Sequence, residues 1–287
     1  WNAAQLKKCL LLVMNNSMRD VWQIITNETR KQFKPVFIWS IVMALLSIAN
    51  IAFFDSLAAE GDALTAALQS LPQALLDGLA IDSKFISSVP SYFNGNFMSI
   101  FLMVNALFAA YLVNALLIKR VEDGRIVFLF SRPISRLNIF TAKVITSVWL
   151  LATSNFIIIG ISYLVGKVTI HNAEVPIQYF VIVGIAGFLY QTLLMSIATV
   201  VGSLSSSTLG LAASGLCSFG FVIFDVLVGI SDMPKFLRFL SPYYYLNLQY
   251  IADNQALKIP DHLLLLLWAT GFFAIAGIMF RRREVNI

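Results

Sequence analysis

Charge is what this 287-residue sequence has least of: 12% of its residues are charged and 59% are hydrophobic. Its mean hydropathy is +0.80, whereas a soluble domain takes about 25% charged residues to clothe its surface. A water-exposed globular fold is therefore excluded. Cysteine is scarce too. Cys9 and Cys217 stand far apart, which excludes a disulfide framework and a cysteine zinc cluster; Cys217, inside an apolar run, reads as a small packing residue. The two histidines, His171 and His262, have no i, i+4 partner and no H-E-x-x-H setting, so a zinc hydrolase has no ligands. Asp225 is the one acid inside an apolar run, so one chain cannot form an aspartyl dyad. Ser203 to Thr208 is a short turn, and Ser214 has no base near it in sequence, so nucleophilic hydrolysis lacks its partners. A phosphate-cradling loop is missing as well. The nearest approach, "GISYLVGKV", sets Gly160 and Gly166 at the wrong spacing and puts Val168 where a hydroxyl must hold magnesium. No low-complexity tract or internal repeat is present. The chain reads as non-enzymatic.

What the sequence does have is long uncharged runs. A hydrocarbon core about 30 Å thick needs roughly 20 apolar residues in a helix. Six runs meet that length: 36–54, 97–118, 139–165, 175–202, 208–230 and 262–280. None alternates apolar and polar residues as a barrel strand must. The expected fold is an all-α polytopic membrane protein with six transmembrane helices. Lys143 falls within a turn of the start of the third run, where its ammonium is expected to snorkel to the headgroups.

Orientation follows from the basic residues. Lys7, Lys8, Arg19, Arg30, Lys31 and Lys34 precede the first run. Lys119, Arg120, Arg125, Arg132, Arg136 and Lys143 lie between the second and third, and Arg281, Arg282 and Arg283 close the sequence. These make up most of the 20 basic residues. Both termini are thus expected in the cytoplasm. The net charge of +5 follows from this topology and calls for no nucleic acid.

The loops divide the chain further. Residues 1–35 form a cytoplasmic amphipathic segment, in which Leu6, Leu10, Val13, Val21, Ile24 and Ile25 outline an apolar face, with Pro35 as the corner before a six-span domain at 36–287. In the first outer loop, Leu64, Leu68, Leu71, Leu75 and Leu76 recur at helical spacing, giving a short surface helix interrupted near Pro72. The last outer loop carries Tyr243, Tyr244, Tyr245 and Tyr250, suited to a segment dipping into the interface.

The stretch Lys119 to Lys143 is longer than a plain connection between helices, which takes two to eight residues. Glu122 and Asp123 favour a helix start, the helix carries Ile126 to Phe130, and Pro133 ends it; Ser135 or Asn138 then caps the third span. So apolar a stub either lies in the headgroup layer or docks on a protein. Glu122, Gly124, Pro133, Ser135, Arg136 and Lys143 resemble the pattern Glu-x-Gly, Pro-x-Ser-Arg and Lys that follows the second span in permease subunits of type-2 ABC transporters. Ser241, Pro242 and Tyr243 in the last outer loop and the basic close from Phe280 resemble that family too.

The resemblance implies a cytoplasmic coupling helix held in a cleft of a separate ATPase subunit, and an outer re-entrant segment between spans five and six. It implies two permease subunits, identical or not, and two ATPase copies in a bacterial or archaeal plasma membrane. ATP and magnesium sit on the ATPase and no cofactor on this chain, which serves an ATP-driven exporter. In that role Phe128 and Phe130 are anchors, Glu122, Arg125 and Arg136 are rim charges, and Gly124 and Pro133 set shape. The alternative is a non-transporting scaffold or sensor whose stub binds a signalling partner. Within the spans Asn105, Asn114 and Asn155 either line a substrate path or bond neighbouring helices. Asp225 is either a cargo or proton site or an interfacial pair near the outer end of its span.

Overall fold

A computed structural model describes residues 3–54, 56, 88–119, 135–171, 173–204, 206–230 and 239–282. Among these residues all regular structure is helical. Helix α1, Ala3–Ala52, is a single 50-residue rod. Ser88 caps α2, Val89–Phe93, with its side chain accepting the Ser91 N–H and Pro90 in the first turn, where a missing N–H costs nothing. A π-helical turn, Asn94–Met98, joins it to α3, Ser99–Val113, and a second π turn follows at Asn114–Ile118. Helix α4, Arg136–Thr169, opens on Ser135, one of the two caps expected, whose Oγ accepts the Asn138 N–H at 3.1 Å. Then come α5, Ile177–Leu204, and α6, Ser207–Ile230. A short 3₁₀ turn, Tyr244–Leu246, precedes α7, Leu248–Asn254, and α8, Ile259–Arg282.

Five of these helices are long and apolar enough to cross a membrane: Val21–Ala52, Ile100–Ile118, Arg136–Thr169, Ile177–Leu204 and Ile259–Arg282. The sixth expected run is represented by a shorter apolar helix, Thr208–Phe224, within α6. The structure corrects the corner expected at Pro35, because α1 runs through it. An interior proline costs a helix about 3 kcal/mol. Here both flanks of the proline are held: Ile24 is buried on one side, and Ser40 and Ser47 are bonded to α4 on the other. The helix has no freedom to turn.

Paired contacts fix the helix directions. Glu28 faces Lys143, Ser40 faces Ser154 at 2.9 Å, and Ser47 faces Ser162 at 2.5 Å, so α1 and α4 run parallel. From Glu28 to Ser47 the rise is about 28 Å at 1.5 Å per residue, close to the thickness of the hydrocarbon core. Helix α5 packs on α3, α4, α6 and α8. It starts beside Asn94, whose Oδ1 accepts the Tyr179 hydroxyl at 2.6 Å, and ends beside Ile118 at Gly202. Helix α6 turns back tightly. A Cβ on Gly210 would lie 2.8 Å from the Ala198 carbonyl oxygen, so only glycine allows the two backbones this close. The bundle thus has a basic end, with Glu28, Lys143 and Arg281, and an aromatic end, with Tyr92, Phe93, Tyr179 and Phe180.

Candidate functional site

The basic segment can be followed at its two roots. Glu122, Gly124, Arg125, Phe128, Phe130 and Pro133 lie outside the described residues, as do the first-loop leucines and Pro72. Lys119 closes one root, and Ser135 and Arg136 open the other; all three are exposed. Lys143, about two turns into α4, is fully buried, not snorkelling to headgroups as its position in the run suggested. Its Nζ donates to the Leu116 carbonyl and lies 3.8 Å from the Glu28 carboxylate, itself buried.

Two features allow this burial. An isolated buried ammonium is untenable, but α1 brings a countercharge to the same depth. The π turn supplies the other partner: the Lys119 N–H reaches back to the Asn114 carbonyl, five residues earlier, and Leu116 within that turn accepts from Lys143. Three segments, α1, the end of α3 and the start of α4, therefore meet at one side chain. At the same end Ile24, Leu117, Ile118, Ile139, Phe140 and Phe280 form one apolar cluster, with Val21 and Ile25 against it. The described part of the amino-terminal apolar face is thus seated on the bundle's own inner packing. Val21, Ile24, Ile25 and Glu28 stand at i, i+3, i+4 and i+7, so Glu28 is an acid on an apolar stripe. That spacing was the available signal for its role.

The interior polar residues occupy three different helix junctions. Asn105 Oδ1 accepts the Trp39 indole N–H at 2.7 Å, tying α3 to α1, and Trp39 stacks on Phe108 with ring centroids 4.9 Å apart. Asn155 Nδ2 donates to Gln191 Oε1 at 2.7 Å and to the Leu151 carbonyl at 3.0 Å, tying α4 to α5. Gln191, in the middle of α5, carries no charge to draw notice in sequence. Asn114 opens the second π turn, buried against Gly202, and among the described residues neither of its amide atoms has a hydrogen-bond partner. π turns are often found at functional sites. Asp225 has its backbone in α6, while its side chain lies outside what is described.

The aromatic end is closed by layered rings. Phe93 meets Phe97 at 4.9 Å and Phe180 at 5.1 Å, and Tyr179 meets Phe180 at 5.3 Å. Asn94 is the hub: besides receiving the Tyr179 hydroxyl, its Nδ2 donates to the Leu248 carbonyl at 2.6 Å, holding α7 down. Between α6 and α7, Tyr243, Tyr245 and Leu246 are buried. The Tyr245 ring lies 5.6 Å from that of Trp268 on α8. His262 is buried at the start of α8, its Nδ1 2.9 Å from the Lys258 carbonyl. Cys217 is half-buried against the main core, as a packing residue should be. Among the described residues no three metal-ligating side chains converge.

Residues 22–285 match the family described as "ABC-2 family transporter protein". No curated protein matches the chain.

Proposed function

The chain belongs to the ABC-2 family of transporter proteins, and from that premise we propose that it is the six-span permease subunit of an ATP-driven exporter. The motor is a separate ATPase, present in two copies that carry ATP and magnesium, and a second permease subunit completes the path. Residues 122–136 are the coupling element. Phe128 and Phe130 sit in the ATPase cleft, Glu122, Arg125 and Arg136 contact its rim, and Gly124 and Pro133 hold the element's shape. Both termini and this element face the cytoplasm.

The observation that carries the reading is the burial of Lys143 against Leu116 and Glu28. A docked element transmits motion only if its roots are stiff. Here the helix leading into the element and the helix leaving it are joined to each other and to α1 by one cation. Nucleotide binding favours one arrangement of the motor pair; the coupling element then biases the three joined helices toward the matching state, which is linkage through a two-state element. Asn105 and Asn155 are taken up in bonds between helices, which leaves Asn114 and Asp225 as the polar positions for the path. The amide of Asn114 is the one best suited to meet cargo or water.

The test is co-purification of the chain in detergent with the products of its neighbouring genes, scored for an ATPase. The wild-type complex elutes together and hydrolyses ATP, the permease alone does not, and Phe128→Asp releases the motor. A complex unchanged by that substitution contradicts the assignment.

A further inference from the structure

A groove of about 430 Å³ runs along the flank of the bundle between α4 and α8, at the basic end. Phe140, Val144 and Ile145 form one wall and Phe273, Ala274 and Ile278 the other. The helices are tightly apposed at its floor, where a Cβ on Gly277 would lie 3.2 Å from Phe140 Cε1. Thr141 and Arg281 are the polar residues of its lining, Arg281 being the last of them along α8. Arg281 is exposed in the last turn of α8, Arg282 follows it, and Arg136 is exposed in the first turn of the adjacent α4.

We infer that this groove binds one anionic glycerophospholipid, with an acyl chain along the apolar walls and the phosphate on the Arg281 guanidinium. An apolar cleft at membrane depth ending in a cation matches the two halves of such a molecule, and basic pockets between spans are where anionic headgroups are held. A guanidinium also offers paired donors to phosphate oxygens. The charge argues against a second copy of this chain as the occupant. A two-fold axis along the membrane normal keeps every residue at its own depth, so Arg281 would face another basic end, and like charges brought together oppose association. The bundle supplies its own controls. The groove of about 370 Å³ between α4 and α5 and that of about 420 Å³ beside Trp268 and Gly271 have no Lys or Arg among their lining residues. The inference does not depend on the transport reading.

The experiment uses the full chain in detergent, with native mass spectrometry and thermal unfolding in the presence of dioleoyl phosphatidylglycerol or dioleoyl phosphatidylcholine. The wild type is expected to retain one phosphatidylglycerol in preference to phosphatidylcholine and to melt higher with it. Arg281→Gln is expected to weaken that binding about five-fold, the worth of one basic residue at an anionic surface, and to leave phosphatidylcholine unaffected. Arg281→Lys should retain most of it. Arg281 also offsets the carbonyl end of α8, but that role changes stability equally with either lipid. Ala274→Trp, which fills the groove, should abolish the adduct, while Gly271→Trp, in a different groove and with no atom within 4 Å of its Cβ, should not. If Ala274→Trp fails to fold, the Gln and Lys variants decide alone. Equal binding of both lipids by the wild type overturns the inference. So does a phosphatidylglycerol preference that survives Arg281→Gln, or a change in the number of chains per particle with the lipid preference intact, which would point to a second copy.

Discussion

At the aromatic end, Asn94, Phe93, Phe97, Tyr179 and Phe180 share the load among ring contacts and two hydrogen bonds, one donated and one accepted by the Asn94 amide. At the basic end a buried ammonium, bonded to a carbonyl and near a buried carboxylate, sits with an apolar cluster where three segments meet. Ring contacts are each worth about 0.5–1.5 kcal/mol beyond the area they bury, so losing one leaves the others in place. A buried ion pair behaves otherwise. Either partner alone is a large liability, and the pair together gives little net stability. The aromatic end is therefore built to stay closed against single changes, and the basic end to respond as a unit, which suits the end that carries the two roots of the proposed coupling element.

The largest effect should come from breaking the basic end. Lys143→Met removes the buried Lys143–Glu28 ion pair together with the bond to the Leu116 carbonyl and should cost about 3–5 kcal/mol, read as a fall in the thermal midpoint in detergent. Adding Glu28→Met should recover most of that loss; a double variant as unstable as the single one shows that the pair is not the cause. A smaller effect, about 1–3 kcal/mol from overpacking, is expected for Gly210→Leu, where the α5 and α6 backbones touch. Gly220→Leu, on the same helix with nothing near its Cβ, should stay within about 0.5 kcal/mol. The smallest belongs to the aromatic end. Tyr179→Phe removes one hydrogen bond to Asn94 and keeps every ring contact, so a loss of about 0.6 kcal/mol is expected, the average for a bond between membrane helices. A loss as large as that of Lys143→Met would erase the contrast between the ends.

The helical fold was legible because its signal is one-dimensional: an uncharged run either reaches the length of a span or does not. The Ser135 cap was legible for the same reason, since a cap and its helix are neighbours in sequence. Lys143 was misread because its fate depends on Glu28, which only the packing of α1 on α4 brings near. Pro35 was misread as a corner because local propensity ignores contacts on both flanks of the helix. Neither π turn has a sequence signature that marks it, and with them the setting of Asn94 and Asn114 stayed hidden. Gln191 and Trp39, the partners of Asn155 and Asn105, were likewise invisible until the helices were side by side. The motif residues Glu122 to Pro133 remain a reading of sequence and family, since they lie outside the described residues.

The claim that most needs testing is that the element between Lys119 and Lys143 is gripped by a motor protein. A photo-cross-linking amino acid placed at position 128, activated in intact cells that express the chain with its ATPase, reports what that position touches. The account predicts a covalent product with the ATPase subunit, lost when the motor is omitted. A product with lipid alone, whether or not the motor is present, would contradict it.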